Sequence, residues 1–392
     1  EKAGDTFRQG VTQFDQLLES DKENPDYLQS RAALLISLGI TSKELGDTKA
    51  ELKSYQQALE SYQVLVTAIP DVPVFQENQA VAQADLGQLY FEIHDLDAAT
   101  TILRESTRSF TDLLQLAPDI DRFREQLGAS SQMVGRCELH LGQLDQAREL
   151  IGKAVELLEQ LAEKNPDQVF YKERLAIARR HLADVPATEG KSADALVLVD
   201  ESIAELAGLI DLAGDIPQFR SNHAGTLARK GELLVSLDRE EEALACWQEA
   251  SEQWEQVLLD SPVANQQFQL ARLIVHHPLL HDDTSLTRRA LELAREATQQ
   301  APSNPRYQNL LAHAELLFGT LEDAGQSLAT ARQARQHPSG LDDLVASLIA
   351  TALDDQPAAE KHAAAARSWF QDQQPGNPRM KWLLGQFLPE SP

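Results

Sequence analysis

The chain has 392 residues, enough for two or three ordinary domains or one long repeat array. Its 61 Asp and Glu outweigh 35 Lys and Arg, giving a formal net charge of −26 and a pI near 4.7. This argues against nucleic acid and anionic membrane as partners, since both are gripped by cationic surface. No run of about 18 apolar residues exists to span a bilayer, and two cysteines, Cys137 and Cys246, are too few for a disulfide framework or a thiolate metal site.

Taken from the N-terminus, the first predicted helix places Phe7, Phe14 and Leu17 on an apolar face. The same three positions recur every 48 residues. One column reads Phe7, Tyr55, Leu103, Ile151, Val199, Trp247; the next Phe14, Tyr62, Phe110, Leu158, Leu206, Trp254; the third Leu17, Leu65, Leu113, Leu161, Leu209, Val257. A link ending in an aromatic follows each helix, as in PDVPVF at 70–75, PDIDRF at 118–123 and PDQVFY at 166–171. Tyr27, Phe75, Phe123, Tyr171 and Phe219 are those aromatics, again 48 apart. The prolines stop one helix and start the next, where Pro fits the first turn, and the aromatic is expected to wedge the junction.

The helix after each link carries a small residue twelve positions on: Gly39, Gly87, Gly135, Ala183, Gly231. A turn residue tolerant of the left-handed region comes next, at Gly46, His94, Gly142, Gly190 and Asp238. Ala99, Ala147, Ala195 and Ala243 then open the second helix. Spacing within both segments is helical, and alternating β-branched runs are missing. Each repeat is thus a hairpin of helix A and helix B. The small residue in A and the alanine in B let the two approach, and a hairpin with an unburied stripe must stack on its neighbours.

Departures from the pattern are local. Pro186 falls where helix A should continue, so a longer, looser hairpin turn is expected there. Pro278 cuts helix A short in HHPLLHDDTS, 276–285. Beyond it Ala290, Ala324 and Ala358 step by 34, so the array is read as long repeats over 1–283, standard repeats over 284–376, and a C-terminal capping helix and tail over 377–392, with Trp382 and Phe387 folded back on the array. Because Phe7, Phe14 and Leu17 sit in helix B columns, the chain is expected to begin inside a repeat, with the natural protein continuing upstream.

These residues resemble the tetratricopeptide repeat (TPR). Gly87, Ala99 and Leu103, like Gly135, Ala147 and Ile151, match its small, Ala and large apolar positions. The family unit is 34 residues; at 48, each helix here would be longer by roughly two turns. The resemblance implies an all-α, right-handed superhelical solenoid of antiparallel hairpins, about eighteen helices in all. The links also look similar to those of TPR tails behind the kinase domain of certain bacterial serine/threonine protein kinases.

No phosphate-binding loop, dinucleotide fingerprint, nucleophile elbow, H-E-x-x-H or kinase motif is present, so no catalytic residue, metal or cofactor is assigned and the fragment is not read as an enzyme. His276, His277, His281, Asp282 and Asp283 are metal-ligand types, but adjacent histidines point apart on a helix and the cluster reads as an irregular inter-repeat loop. The resemblance implies a concave face lined by helix A. Its fifth positions are Ile36, Ala84, Gln132, Arg180 and Ala228; its ninth, Ile40, Gln88, Arg136, Asp184 and Glu232; its twelfth include Lys43, Phe91 and Leu139. The partner-binding residues expected on it are Gln88, Phe91, Gln132, Arg136 and Arg180, an aromatic with two arginines, the composition of interface anchors. The resulting expectation is a protein or peptide partner held by a scaffold or sensor region. A small-molecule or catalytic pocket near 184–192 or 276–285, and a plain structural spacer, are the alternatives. Compartment and oligomeric state are not readable.

Overall fold

The computed structural model describes residues 2–213, 216–335 and 339–388. They form eighteen α-helices and one 3-10 turn, with no strand among the described residues. The chain divides into two compact units, Glu1–Cys137 and Glu138–Pro392.

The first unit holds α1 (Lys2–Ser20), α2 (Pro25–Glu44), α3 (Thr48–Ala68), α4 (Pro73–Glu92), α5 (Leu96–Leu116) and most of α6 (Asp121–His140). Here α2 pairs with α3 and α4 with α5 as antiparallel hairpins, α1 packs on α2, and α3 on α4. The second unit continues with α7 (Leu144–Lys164), α8 (Val169–Thr188), α9 (Ser192–Ala213), α10 (Pro217–Val235), α11 (Glu240–Asp260) and α12 (Ala264–His276). After the 3-10 turn Pro278–Leu280 come α13 (Thr284–Gln300), α14 (Pro305–Phe318), α15 (Leu321–Ala334), α16 (Gly340–Ala352), α17 (Gln356–Gln373) and α18 (Pro378–Phe387). From α7 to α17 each helix packs on its successor. Helices up to α11 run 19 to 22 residues, and those from α12 to α16 run 13 to 17.

The links do what their residues dictate. Pro25, Pro73, Pro217 and Pro305 each stand in the first turn of a helix A, where a missing N–H costs nothing. Phe75 is buried in a core with Leu28, Leu35, Tyr62 and Leu65, and Phe219 in one with Ala176, Leu206 and Leu209.

The hairpin turns share one geometry. Gly46, His94, Gly142, Gly190, Asp238 and Asp354 all have φ between +58° and +79°. At each, the next residue's N–H reaches back five positions, as in Asp47 to Ser42 O, Asp95 to Tyr90 O and Arg239 to Leu234 O, at 2.9 Å. This left-handed C-cap satisfies carbonyls that the helix end leaves open. Asp47, Asp95 and Asp355 then cap the following helix by accepting from Ala50, Ala98 and Ala358 N–H.

Three expectations need correction. α8 runs through Pro186 to Thr188, and the turn after it is the ordinary one, with Lys191 N–H on Pro186 O at 2.8 Å. So near the helix end, proline removes a single backbone hydrogen bond and its ring fits the helical φ. In the last hairpin the small-residue position belongs to Ala359, buried and bonded to Asp355 O, and not to Ala358, which lies in the capping turn. Leu139, read as groove-lining, is 2% exposed in a core with Ala147, Ile151 and Val185. As expected, α12 is cut short at His276 before Pro278.

Close approach of A to B is set by glycine facing a ring. A Cβ on Gly39 would lie 2.4 Å from Tyr55 Cε1, and one on Gly231 would lie 2.2 Å from Trp247 Nε1. Trp247 has no slack, being buried with its Nε1–H donating to Ala228 O at 3.1 Å. Gly152, in α7, meets nothing within 4 Å. Gly231→Ala is therefore expected to cost about 1–3 kcal/mol by overpacking, while Gly152→Ala stabilises by about 0.5–1 kcal/mol. Urea unfolding of both variants checks this, and equal effects would contradict it.

Glu51, in the first turn of α3, is 4% exposed and its Oε1 has no hydrogen-bond partner. Burial raises its pKa to about 7 against the opposing charge of Lys43, with Glu92 and Asp85 adding to the rise. Asp85 is pushed up to about 6 by burial, again opposed by Lys43. The fold thus holds a proton on Glu51 that the unfolded chain, with its ordinary pKa of 4.5, releases. Stability is greatest below pH 4.5 from this group and falls as pH rises to about 7, by about 1.4 kcal/mol per pH unit. Glu51→Gln should raise stability of this unit at pH 8 by about 1–3 kcal/mol and leave it nearly unchanged at pH 4.5. Unfolding followed by hydrogen exchange in α3 and α4 reads both values, and a loss of stability at pH 8 would refute the assignment.

Candidate functional site on the helix A face

In the first unit, α4 and α6 bring Phe91 and Arg136 together. The Arg136 guanidinium lies over the Phe91 ring, 4.6 Å from its centroid, and its Nη1 donates to Met133 Sδ at 3.1 Å. Cation–π contact of this kind lets a half-buried arginine keep its charge with reduced hydration. One turn back on α4, exposed Gln88 donates to Glu92 Oε1 at 3.0 Å, and Lys43 of α2 pairs with the same oxygen at 2.9 Å. Gln132 is half-buried on α6. Ile40 of α2 is 49% exposed, so the first unit presents an aliphatic side chain, an arginine-covered ring and a lysine–glutamate pair.

Arg180 belongs to the second unit. Its Nη2 lies 3.3 Å from His181 Nε2, and its Nη1 would be 3.2 Å from a Cβ on Gly225. The ninth-position acids expected on this face, Asp184 and Glu232, are both bound to Arg229, at 2.8 Å and 2.7 Å. Burial works against the Arg229 charge, but the two carboxylates more than offset it and its pKa lies above the ordinary value. Ala228, the fifth position of α10, is buried in the core.

The histidines of 276–285 do not converge on a point. Among the described residues no three His, Cys, Asp or Glu form a metal-ligand group. His277 stacks on Trp247, with ring centroids 4.0 Å apart, and its Nε2 lies 4.0 Å from Glu232 Oε1. His276 faces His313 of α14 at 5.7 Å. His281 Nε2 lies 3.0 Å from Ile274 O and the ring meets Phe318 edge-on, while Asp283 caps α13. Burial lowers all four imidazole pKa values, His277 to about 4 and His313 to about 3. Trp382 and Phe387 of α18 fold back as expected, and the surfaces they meet are His277, at 4.7 Å, and His313, at 4.8 Å.

Sequence reasoning missed Arg229 and His313. Arg229 sits one residue past the fifth position of α10, and its acid partner Asp184 lies 45 residues earlier in the neighbouring repeat. That inter-repeat spacing, shared in kind by Lys43 and Glu92, was the available signal. His313 carried no signal, because only the return of α18 and α12 onto α14 gives it aromatic neighbours.

An open groove of about 1050 Å³ also lies in the first unit, lined by residues of α3, α4 and α5 including Leu59, Val64, Tyr90 and Ile102. It falls at regular repeats, away from both stretches where a pocket was expected.

No protein-family model and no curated protein matches the sequence. Among solved structures the chain is similar to a Rap protein complexed with competence and sporulation factor. The TM-score is 0.52 at 11% identity, over 95% of this chain and 100% of that one. It is also similar to the Rap conjugation gene regulator of plasmid pLS20 in complex with the Phr* peptide, with a TM-score of 0.50 at 14% identity, over 79% of this chain and 75% of that one. Such identities speak for architecture alone, and with the hairpin geometry above they show an all-α helical-repeat fold built of TPR-like hairpins.

Proposed function

We propose that the chain binds a peptide or helix of a protein partner on its helix A face, as a scaffold or sensor region. The observation that carries this reading is Arg136 lying over Phe91, one turn from exposed Gln88 on α4, an arginine and aromatic pair on a chain of net charge −26. Arginine and aromatic side chains are the residues in which interface energy concentrates. Gln132 and Arg180 are further proposed contacts. The two Rap structures similar in fold were each solved with a bound factor or peptide, which supports the reading by analogy of architecture. An acidic or amphipathic segment is the chemistry that fits an arginine half-covered by a ring. The attachment of this region to a larger bacterial protein, with a kinase domain upstream, rests on the wording of the links alone.

A pocket for a small molecule is the second reading, favoured by the open groove over Leu59, Val64 and Ile102. The two separate in melting experiments, since a ligand that binds only the folded state raises Tm by mass action. Metabolites should leave Tm unchanged under the scaffold reading, and a partner peptide should raise it.

The direct test uses the full chain as bait in a lysate, then titrates the captured partner in purified form. Phe91→Ala and Arg136→Glu should each weaken its binding at least about tenfold, as loss of a hot-spot contact does, and Arg180→Glu tests the second unit's contact by itself. Unchanged affinity in the Phe91 and Arg136 variants would exclude this part of the face.

A further inference from the structure

The last helix does more than close the array. Within the second unit, the segment from Pro375 onward leaves α17 and returns to the helix A side. Gly376 N–H donates to His140 O at 3.0 Å, and Thr188 Oγ1 lies 3.5 Å from Gly376 O. A Cβ on Gly376 would fall 1.7 Å from Leu139 O, so only glycine passes there. α18 then contacts α8 as well as α16 and α17. One side of it is aliphatic: Met380, Leu383 and Leu384 pack with Leu344, Ala366 and Trp369. Trp382 and Phe387 pack against the same cluster and also meet imidazoles, Trp382 that of His277 and Phe387 that of His313.

We propose that residues 375–388 are a self-ligand of the helix A face, held while the histidines beneath are neutral and released when they protonate. It is confined to the second unit and does not depend on what binds Phe91 and Arg136.

Geometry makes the imidazoles the responsive part. His276 Nδ1, His277 Nδ1, His313 Nε2 and Trp382 Nε1 are all buried without a hydrogen-bond partner. A proton added to any of these rings would add a charge among aromatic faces with nothing to receive the new N–H. Counter-charge is scarce from every side. α10 offers Glu232, which Arg229 already holds. α11 offers the uncharged Trp247. The α12 end and the turn after it offer the other histidines and Asp282, which faces His281. α14 offers His313 itself, and α18 meets the cluster through Trp382 and Phe387. Lys381, the neighbouring cation of α18, is exposed.

The sign follows. Imidazoles held below their ordinary value of 6.5 favour the docked state above that pH and lose that preference as pH falls toward about 4. Each ring that regains its free value on release increases the open population by up to about thirtyfold at pH 5. With His277 and His313 both uncovered, the limit is about a thousandfold.

Amide hydrogen exchange on the full chain, corrected for intrinsic rates, reads the release directly. Protection of residues 379–388 should fall at least about tenfold between pH 7.5 and pH 5, with α7 unchanged. Constant protection of 379–388, or an equal loss in α7, would overturn the proposal. His277→Gln with His313→Gln should remove the pH dependence, and its persistence would overturn the assignment to these rings. If that pair disturbs packing, a second measurement decides. Trp382→Ala with Phe387→Ala should open the segment at all pH values, and a synthetic peptide of residues 377–388 should then bind this variant at least about tenfold more tightly at pH 7.5 than at pH 5. Absence of binding, or binding independent of pH, refutes the self-ligand.

Discussion

The whole arrangement depends on how closely helix A and helix B of one hairpin can approach. A left-handed residue at the turn reverses the chain within a few positions, and its back-bonded neighbour seals the end of helix A. This fixes the rotation of B about its axis, so a ring at Tyr55 or Trp247 arrives opposite a glycine. With no Cβ at Gly39 or Gly231 the ring lies against backbone, and the hairpin closes into a dense pair. Everything outward of that contact, including which side chains helix A shows on its other face, is a consequence of it.

That dependence explains why the fold was legible and the site less so. The turn column Gly46, His94, Gly142, Gly190 and Asp238 could be written from spacing, and each has positive φ. The aspartate and histidine there confirm that the requirement is conformational: a non-glycine residue is accepted where its polar side chain tolerates the left-handed region. A step of 34 from Ala324 points to Ala358 and so puts the turn one residue before Asp354; only the cap by Asp355 sets the frame. Pro186 was overread. A proline rule that breaks a helix interior has less force two residues from the helix end, where one backbone hydrogen bond is lost and no further turn of helix has to be carried past the ring.

Face assignment by position number was weaker, since it assumes every helix A has the same exposure. Gln88 is exposed and Phe91 half-buried, whereas Leu139 and Ala228 are core. Packing on neighbouring helices decides such cases, and a single helix's periodicity contains no information on its neighbours. Arg229 is instructive here. Alone it would be an implausible buried cation, and it is stable because α8 and α10 each contribute a carboxylate within 2.8 Å. A charge pattern spread over two repeats is visible only once the hairpins are stacked.

The two pH-sensitive regions of the chain also differ in sign for one physical reason. Burial disfavours whichever form is charged. For Glu51 the charged form is the deprotonated one, so its unit is strained by alkali; for His277 and His313 it is the protonated one, so their unit is strained by acid. The consequences differ because of what lies above each group. Glu51 sits at the start of α3, covered by a helix pair whose turn geometry cannot yield without losing the hairpin. His277 and His313 are covered by the ten-residue α18, which joins α17 through a glycine-containing lead. A helix that short has little stability of its own, so strain beneath it is relieved at lower cost by lifting that helix than by unfolding the repeats.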